Sequence, residues 1–180
     1  VTSTVSTLGT DAVSFAATCT ACAAVAVATT QDLDTEHSGS TWTYDNTAKT
    51  LTFGANGAAA NTVNGITLTL NDRILVKDQT TAAQNGVYSV TTAGADGSAA
   101  TVLTRASDMD VASEFGGANV YVSGGTSGGT QVYKVTSTVS TLGTDAVSFA
   151  ATCTACAAVA VATTQDLDTE HSGSTWTYDN

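Results

Sequence analysis

The first 46 residues of the chain are identical to its last 46 residues. Val1–Asn46 and Val135–Asn180 share every letter, so the 180 residues are one period of 134 residues followed by the start of the next. An identity of this length indicates tandem modules, and we expect the chain to be a window from a longer array. Arrays provide length, rigidity or multivalent binding, which enzymes rarely need. The repeat therefore predicts an architectural protein.

The composition of one period suits a β-rich domain. Thr, Ala, Gly, Ser and Val dominate, and the sequence contains no proline. Small and β-branched residues favour strands, and glycines favour the turns between them. A period of 134 residues is also long enough to bury a hydrophobic core.

The charge of the chain limits its partners. Residues 47–180, one full period, contain 11 Asp and Glu against 5 Lys and Arg, a net charge of −6 (5 − 11). Such modules repel nucleic acids and anionic membranes, and no run approaches the roughly 20 apolar residues of a membrane helix. We therefore expect neither nucleic acid nor a membrane as a partner. The acidic, lysine-poor composition is typical of secreted proteins and predicts an extracellular, cell-surface or virion-surface location.

Alternating apolar and polar residues predict short strands along the period. Thr41–Tyr44 and Thr50–Phe53 flank the turn sequence DNTAK and predict a hairpin. Ile66–Leu70 alternates in the same way, and Asn85-Gly86 predicts a tight turn before the next strand. About nine or ten such strands, at a spacing of roughly 8–12 residues, predict an all-β fold: an antiparallel β-sandwich or barrel.

The segment DMDVASEF combines two candidate features. It is the only helical turn that the pattern predicts, with Ser107 or Asp108 as its N-cap. Closely spaced acids on a loop also supply oxygen ligands for calcium, which makes Asp108, Asp110 and Glu114 a candidate Ca²⁺ site. The acids of Asp32–Glu36 allow the same two interpretations. Neither segment has a known calcium-loop pattern, so caps and solvated charges explain both equally well.

Leu70 to Val135 carries an ordered series of motifs: LNDRILVKDQT, QNGVYSV, TRASDMD and ANVYV. In this order they resemble the repeated β module of phage tail-fibre and related virion proteins and of giant bacterial tandem-repeat surface proteins. The matching residues are Asp72, Arg73, Val76, Lys77, Asp78, Gln79, Gln84, Asn85, Gly86, Tyr88, Arg105, Ala106, Asp108, Asp110, Glu114, Gly117, Val120 and Val122. The resemblance implies a structural, receptor-facing role with no catalytic residue.

The resemblance also implies module boundaries. The opening pattern of the family is similar to Val27–Leu33, and its closing pattern is similar to Thr138–Phe149. One complete module would then occupy residues 24–152. Residues 1–23 would be the C-terminal part of a preceding module, and residues 153–180 the start of the next one.

Four cysteines lie at this predicted junction, in two copies of CTAC: Cys19, Cys22, Cys153 and Cys156. A thioredoxin-like redox site needs a helix after the motif, and none is predicted here. The spacing between paired CxxC motifs that a zinc site needs is also missing. Disulfides, within one CTAC or between neighbouring modules or chains, are the favoured interpretation. Free buried thiols are the alternative.

The scarce basic residues predict ion pairs that fix loops. Arg73 and Arg105 are expected to pair with Asp72, Asp78, Asp108 or Asp110, since an arginine held by a carboxylate fixes geometry. The isolated His37 has no partner in a recognisable motif, and we expect it at the surface.

These features predict a structural, non-enzymatic extracellular fibre or filament protein that self-associates, with a role in reach, adhesion or matrix. No resident cofactor is expected apart from the candidate calcium. Strand addition would cover sheet edges, with Val1–Ala17 serving one module and Val135–Ala151 its neighbour. The alternative is a phage-like fibre module that binds cell-surface glycans through exposed Trp42, Tyr44 or Tyr121, with the array providing avidity. A hydrolase or lyase is a third hypothesis, without a motif to support it.

Overall fold

Short β-strands make up most of the structure. The computed structural model describes residues 24–38, 41–57 and 59–152. In chain order the described strands are β1 (Val27–Ala28), β2 (Trp42–Asp45), β3 (Thr50–Asn56), β4 (Thr62–Val63), β5 (Ile66–Thr67), β6 (Arg73–Val76), β7 (Gly86–Thr92), β8 (Ala100–Arg105), β9 (Asn119–Val122), β10 (Gln131–Val135) and β11 (Phe149–Ala151). One α-helical turn, α1 (Leu33–Glu36), and 3₁₀ turns at Ala59–Asn61, Ala82–Gln84 and Ala112–Glu114 connect them.

The strands form three open sheets. The largest has the order β1-β6-β7-β8-β3-β2, in which β1 is parallel to β6 and all other neighbours are antiparallel. A three-stranded antiparallel sheet has the order β11-β10-β9, and β4 pairs with β5 in a small hairpin. The prediction of an all-β fold is therefore confirmed, and the open sheets are of the sandwich type.

The six-stranded sheet is covered on both faces. Successive residues of a strand point to opposite faces, so Ile74 and Val76 of β6 belong to one core cluster and Leu75 to the other. The first cluster includes Leu33 of α1 and Val63 of β4, whereas the second includes residues of the three-stranded sheet. Burial on both faces explains the continuous apolar run of β6. Each of these fully buried side chains stabilises the fold by about 1.5–3 kcal/mol.

The hairpin predicted around DNTAK is confirmed. Trp42 of β2 lies opposite Phe53 of β3, and Asp45 lies opposite Thr50. The Asp45 carboxylate accepts hydrogen bonds from the backbone N–H groups of residues 47 and 48, at 2.8 and 3.0 Å. Lys49 closes the turn with a φ of 57°. The Asp45 side chain thus accepts the hydrogen bonds that a backbone carbonyl would accept in a regular turn, as the Asp in DNTAK suggests.

One local prediction about strands is wrong, and one about turns is confirmed. The predicted strand Ile66–Leu70 is paired over Ile66–Thr67 only, and Leu70 is exposed. A turn does precede the strand at Asn85-Gly86: a 3₁₀ turn ends at Asn85, and β7 begins at Gly86. The Asn85 side chain is buried and bonds to other segments.

The helical predictions are also corrected. The 3₁₀ turn in DMDVASEF follows Val111, and neither Ser107 nor Asp108 is its N-cap. A second turn, α1, was not predicted and begins after Asp32, whose side chain accepts a hydrogen bond from the N–H of Asp34. Among the described residues, no helix has the length and apolar character needed to cross a membrane.

The second copy of the duplicated segment completes the described fold. Strand β11 pairs with β10, with Phe149 opposite Val135, and Val147 is fully buried in the second core cluster. The expected strand exchange would place this segment in a different module, whereas here it packs on the residues that precede it. Local closure is favoured because a short connection carries a small loop entropy. The first copy, residues 1–17, lies outside the described residues, so the predicted boundaries of the flanking modules stay predictions.

Candidate functional sites

Two ion pairs connect loops to strands. Nη2 of Arg73, on β6, lies 2.8 Å from Oδ1 and 2.9 Å from Oδ2 of Asp108, in the loop after β8. Nζ of Lys49, in the β2–β3 turn, lies 3.3 Å from Oδ2 and 2.7 Å from the backbone carbonyl oxygen of Asp110 in that same loop. The Asp108 side chain is 43% exposed, so solvent screening limits its pair to about 0–1 kcal/mol. The two pairs hold this loop in place more than they stabilise the fold.

The acids predicted as calcium ligands are used separately. Asp108 binds Arg73, Asp110 binds Lys49, and Oε2 of Glu114 accepts hydrogen bonds from the backbone N–H groups of residues 110 and 111, at 2.7 and 3.0 Å. Within the described ranges, no group of three or more His, Cys, Asp or Glu side chains is arranged to hold a metal ion. Each carboxylate has its own partner, so the three do not converge as calcium ligands do.

Asp78 binds residues other than the predicted arginines. Its Oδ2 lies 2.8 Å from Nζ of Lys77 and 3.0 Å from Oγ1 of Thr29. Arg73 lies at the opposite end of β6, and five residues of extended chain separate the two backbones by about 16 Å. Lys77 also lies over the Tyr133 ring, with Nζ 5.3 Å from the ring centre. Asp78 therefore fixes a lysine between two strands rather than pairing with an arginine.

Arg105 is a buried arginine whose described partners include no carboxylate. Its side chain is 4% exposed. Nη1 donates to the carbonyl oxygen of Asn85 at 3.0 Å, Nη2 donates to that of Ala83 at 2.9 Å, and Nε donates to the Tyr44 hydroxyl at 3.2 Å. The expected ion pair is replaced by these acceptors because β8 points the guanidinium into the core, opposite Tyr88 of β7. Three hydrogen bonds satisfy most of its donors.

Aromatic rings surround the same guanidinium. Its central carbon lies 5.0 Å from the ring centre of Tyr88, 5.6 Å from that of Tyr44 and 5.9 Å from that of Phe115. Ring faces attract a cation, and the attraction is stronger where water is excluded. Burial raises the pKa of Tyr88 well above its usual value, and the positive charge of Arg105 offsets only part of that rise. Tyr88 is therefore neutral, and its hydroxyl donates to the carbonyl oxygen of Gln84.

His37 is buried rather than at the surface. Its Nε2 lies 2.9 Å from the carbonyl oxygen of Thr62, and its Nδ1 lies 3.1 Å from that of Leu33. The ring centres of Trp42 and Phe53 lie 5.8 and 5.6 Å from the imidazole. His37 therefore joins α1 to β4 over the hairpin, and the surface position expected for it is wrong. The sequence did contain a signal for this burial: the aromatic residues of β2 and β3 need another side chain to pack against their buried face.

Of the aromatic residues proposed to bind glycans, one is exposed. Trp42 is 8% exposed in the core, Tyr44 is half-buried against Arg105, and Tyr121 is 38% exposed on β9. Stacking on a sugar needs accessible ring faces. Among these three residues, one ring is therefore accessible to a sugar, whereas glycan binding was expected to use several.

Two buried asparagines were missed by sequence reasoning. Asn61 bonds to both backbone groups of Gly94, at 2.9 and 3.0 Å, and accepts from the Thr101 hydroxyl at 2.7 Å. Asn85 accepts from the N–H of Gln79 at 3.0 Å and donates to the carbonyl oxygen of Val147 at 2.9 Å. Buried amides of this kind satisfy irregular backbone where no strand partner is available. No signal in the sequence distinguishes them from turn residues.

The contacts of Arg73, Lys49, Arg105 and His37 each join a loop or turn to another segment of the fold. The four cysteines predicted to form disulfides (Cys19, Cys22, Cys153 and Cys156) lie outside the described residues. Comparison of the chain with protein-family models, curated proteins and solved structures finds no match.

Proposed function

We propose that the chain is part of a structural, non-enzymatic protein of extracellular fibres or filaments, built from repeated β modules. The observation that supports this most is the agreement between the fold and the repeat. The described strands run from Val27 to Ala151, which is 125 (151 − 27 + 1) of the 134 residues in a period. One β unit thus accounts for most of one period, as expected of a module in a tandem array.

The internal contacts support a load-bearing role. Arg105, His37 and the two buried asparagines each connect segments that are distant in sequence. Such contacts hold a small β fold in one arrangement, because each buried polar group must keep its partners. We therefore expect a module whose loops are fixed to its sheets in this way to resist local opening under load.

The resemblance to phage fibre and bacterial tandem-repeat modules and the acidic composition support an extracellular, cell-surface or virion-surface location. The net charge of −11 is unfavourable for binding nucleic acid or anionic membranes. Glycan binding, the alternative function, has weaker support because Trp42 is in the core and Tyr44 packs on Arg105.

Electron microscopy of the native protein tests the proposal. Filaments with an axial repeat of one module are expected, and isolated globular particles would contradict a filament. Stretching a chain of several periods gives a second test, since identical modules unfold in equal steps of up to about 3.3–3.6 Å per residue. Changing Arg105 to Met in every module should lower the unfolding force and leave the step length unchanged.

Stapling through the CTAC pairs is part of the proposal. The four cysteines of the 180-residue chain are expected to resist alkylation in denaturant before reduction and to react fully after it. Non-reducing gel electrophoresis then separates bridges within one chain from bridges between chains. Thiols that react without reduction, in protein isolated with alkylating agent present, would contradict stapling.

A further inference from the structure

The imidazole of His37 has three polar contacts and only two nitrogen atoms. Its Nε2 lies 2.9 Å from the carbonyl oxygen of Thr62, and its Nδ1 lies 3.1 Å from that of Leu33. Nε1 of Trp42 lies 3.4 Å from the same Nδ1. A carbonyl oxygen can only accept a hydrogen bond, and an indole N–H can only donate one. Nδ1 therefore cannot bond to Leu33 and to Trp42 at the same time.

The protonation state of the ring decides which of these contacts are hydrogen bonds. A neutral imidazole with its proton on Nε2 donates to Thr62 and accepts from Trp42, whereas an imidazolium donates to both carbonyl oxygens and leaves the indole N–H without an acceptor. The neutral form with its proton on Nδ1 bonds to Leu33 alone. The Leu33 oxygen also accepts the backbone N–H of His37 at 3.0 Å, so it keeps a donor when the ring does not supply one. The first two states thus make two hydrogen bonds each and differ in the contact to Trp42.

Burial makes this exchange of partners costly for the indole. His37 and Trp42 are each 8% exposed, and a buried donor that loses its acceptor is not readily satisfied by water. Trp42 is the first residue of β2, which is the outer strand of the six-stranded sheet. We propose that His37 is a pH-sensitive switch: its neutral ring holds the Trp42 indole against α1, and its protonated ring releases the indole and loosens this edge of the sheet. The inference does not depend on whether the protein forms a filament.

The acids closest to His37 along the chain have partners of their own. Asp34 of α1 accepts a hydrogen bond from the backbone N–H of Trp42 at 2.6 Å, and Glu36 accepts one from that of Asn64 at 2.5 Å. The strands β2, β3 and β4 present uncharged groups to the ring: the Trp42 indole, the Phe53 ring and the Thr62 carbonyl oxygen. Carboxyl groups ordinarily titrate near pH 4 and imidazoles between about pH 5 and 8. A titration that stays above about pH 5 therefore separates the ring from both acids.

The test uses the full chain with a single histidine and a single tryptophan. H171Q and W176F remove the two repeated residues, so His37 and Trp42 give the only imidazole and indole signals in nuclear magnetic resonance spectra. At about pH 8 the shifts of the ring nitrogens are expected to place the proton on Nε2. As the pH is lowered to about 5, the protection factor of the indole N–H (its exchange rate relative to the intrinsic rate at each pH) should fall roughly tenfold, which corresponds to about 1.4 kcal/mol. The midpoint of this fall should coincide with that of the His37 titration.

H37Q on the same background is the control, because glutamine donates and accepts hydrogen bonds without titrating. Its indole protection factor should stay constant over the same range of pH. A ring proton on Nδ1 at high pH would overturn the proposal, and so would an indole protection factor that does not change while His37 titrates. A fall of equal size in H37Q would also overturn it. The position of the proton and the shared midpoint are measured in the chain that keeps His37, so both results stay decisive if H37Q does not fold.

Discussion

The Arg105 guanidinium faces the Tyr88 ring across the β7–β8 ladder, with 5.0 Å between its central carbon and the ring centre. The charge is held by two backbone carbonyl oxygens, a tyrosine hydroxyl and three rings. A Cβ atom at Gly86 would overlap Nη1 of Arg105, so a glycine is required there. The buried charge thus determines the residue types around it and fixes the 3₁₀ turn that precedes β7.

Replacing Arg105 should destabilise the fold by leaving buried acceptors without donors. In R105M the carbonyl oxygens of Ala83 and Asn85 lose their partners, and we expect a loss of about 1–3 kcal/mol in the free energy of unfolding. R105K should also be destabilised, since an ammonium group cannot reproduce the planar arrangement of donors. Urea unfolding followed by circular dichroism measures both variants. The control K134M, at an exposed position of β10, should stay within about 0.5 kcal/mol of wild type; an equal loss there would contradict a specific role for Arg105.

The pair between Arg73 and Asp108 should contribute little. Its side chains are 26% and 43% exposed, so a double-mutant cycle with R73Q and D108N should give a coupling of about 0.2–1 kcal/mol. Raising the salt concentration to 1 M should reduce that coupling. A coupling above about 2 kcal/mol that is insensitive to salt would show that the pair is effectively desolvated, contrary to its exposure.

Features that depend on neighbouring residues were predictable from the sequence. The β2–β3 hairpin follows from alternation in TWTY and TLTF and from the turn-forming Asp45, all within thirteen residues (53 − 41 + 1). The all-β class follows in the same way from many short segments in which apolar and polar residues alternate. By contrast, α1 has four residues and no detectable period. It forms because Asp32 caps it and because the N–H of Leu33 reaches the side chain of Gln79, 46 residues away.

The partners of the charged side chains depend on which residues of neighbouring strands lie opposite each other, and the sequence alone does not determine this register. Arg105 was expected to find an acid, yet a register shift in the β7–β8 ladder between Val90 and Thr92 helps to set which residues face each other. The partner of Arg73 was among those predicted, because the loop after β8 is rich in acids and the arginine needed one of them. Which acid each cation takes is a property of the assembled sheet.

Gly143 should be intolerant of a side chain for two separable reasons. Its φ is +79°, and a Cβ atom would overlap Oδ1 of Asn46. Gly97 has a similar φ of +72° with nothing within 4 Å, so G97A measures the backbone cost alone, about 1–2 kcal/mol. We expect G143A to lose more stability than G97A, and the further change N46A to remove the excess. Equal losses in G143A and G97A would show that the loop yields freely around Asn46.

Acid should weaken the connection between α1 and the loop after β6. Burial tends to raise the pKa of Asp32, but hydrogen bonds from the Thr80 N–H, the Asp34 N–H and the Thr80 hydroxyl outweigh it and lower that pKa below 3.8. A carboxyl group with a lowered pKa in the folded state stabilises the protein above its unfolded pKa, and this contribution is lost as the pH falls through the folded pKa. Wild-type stability should therefore decline below pH 3.8. D32N should be less stable at pH 7 by about 1 kcal/mol and should decline less steeply, so that the two curves of unfolding free energy against pH converge in acid. Parallel curves would show that Asp32 has the same pKa in the folded and unfolded chains.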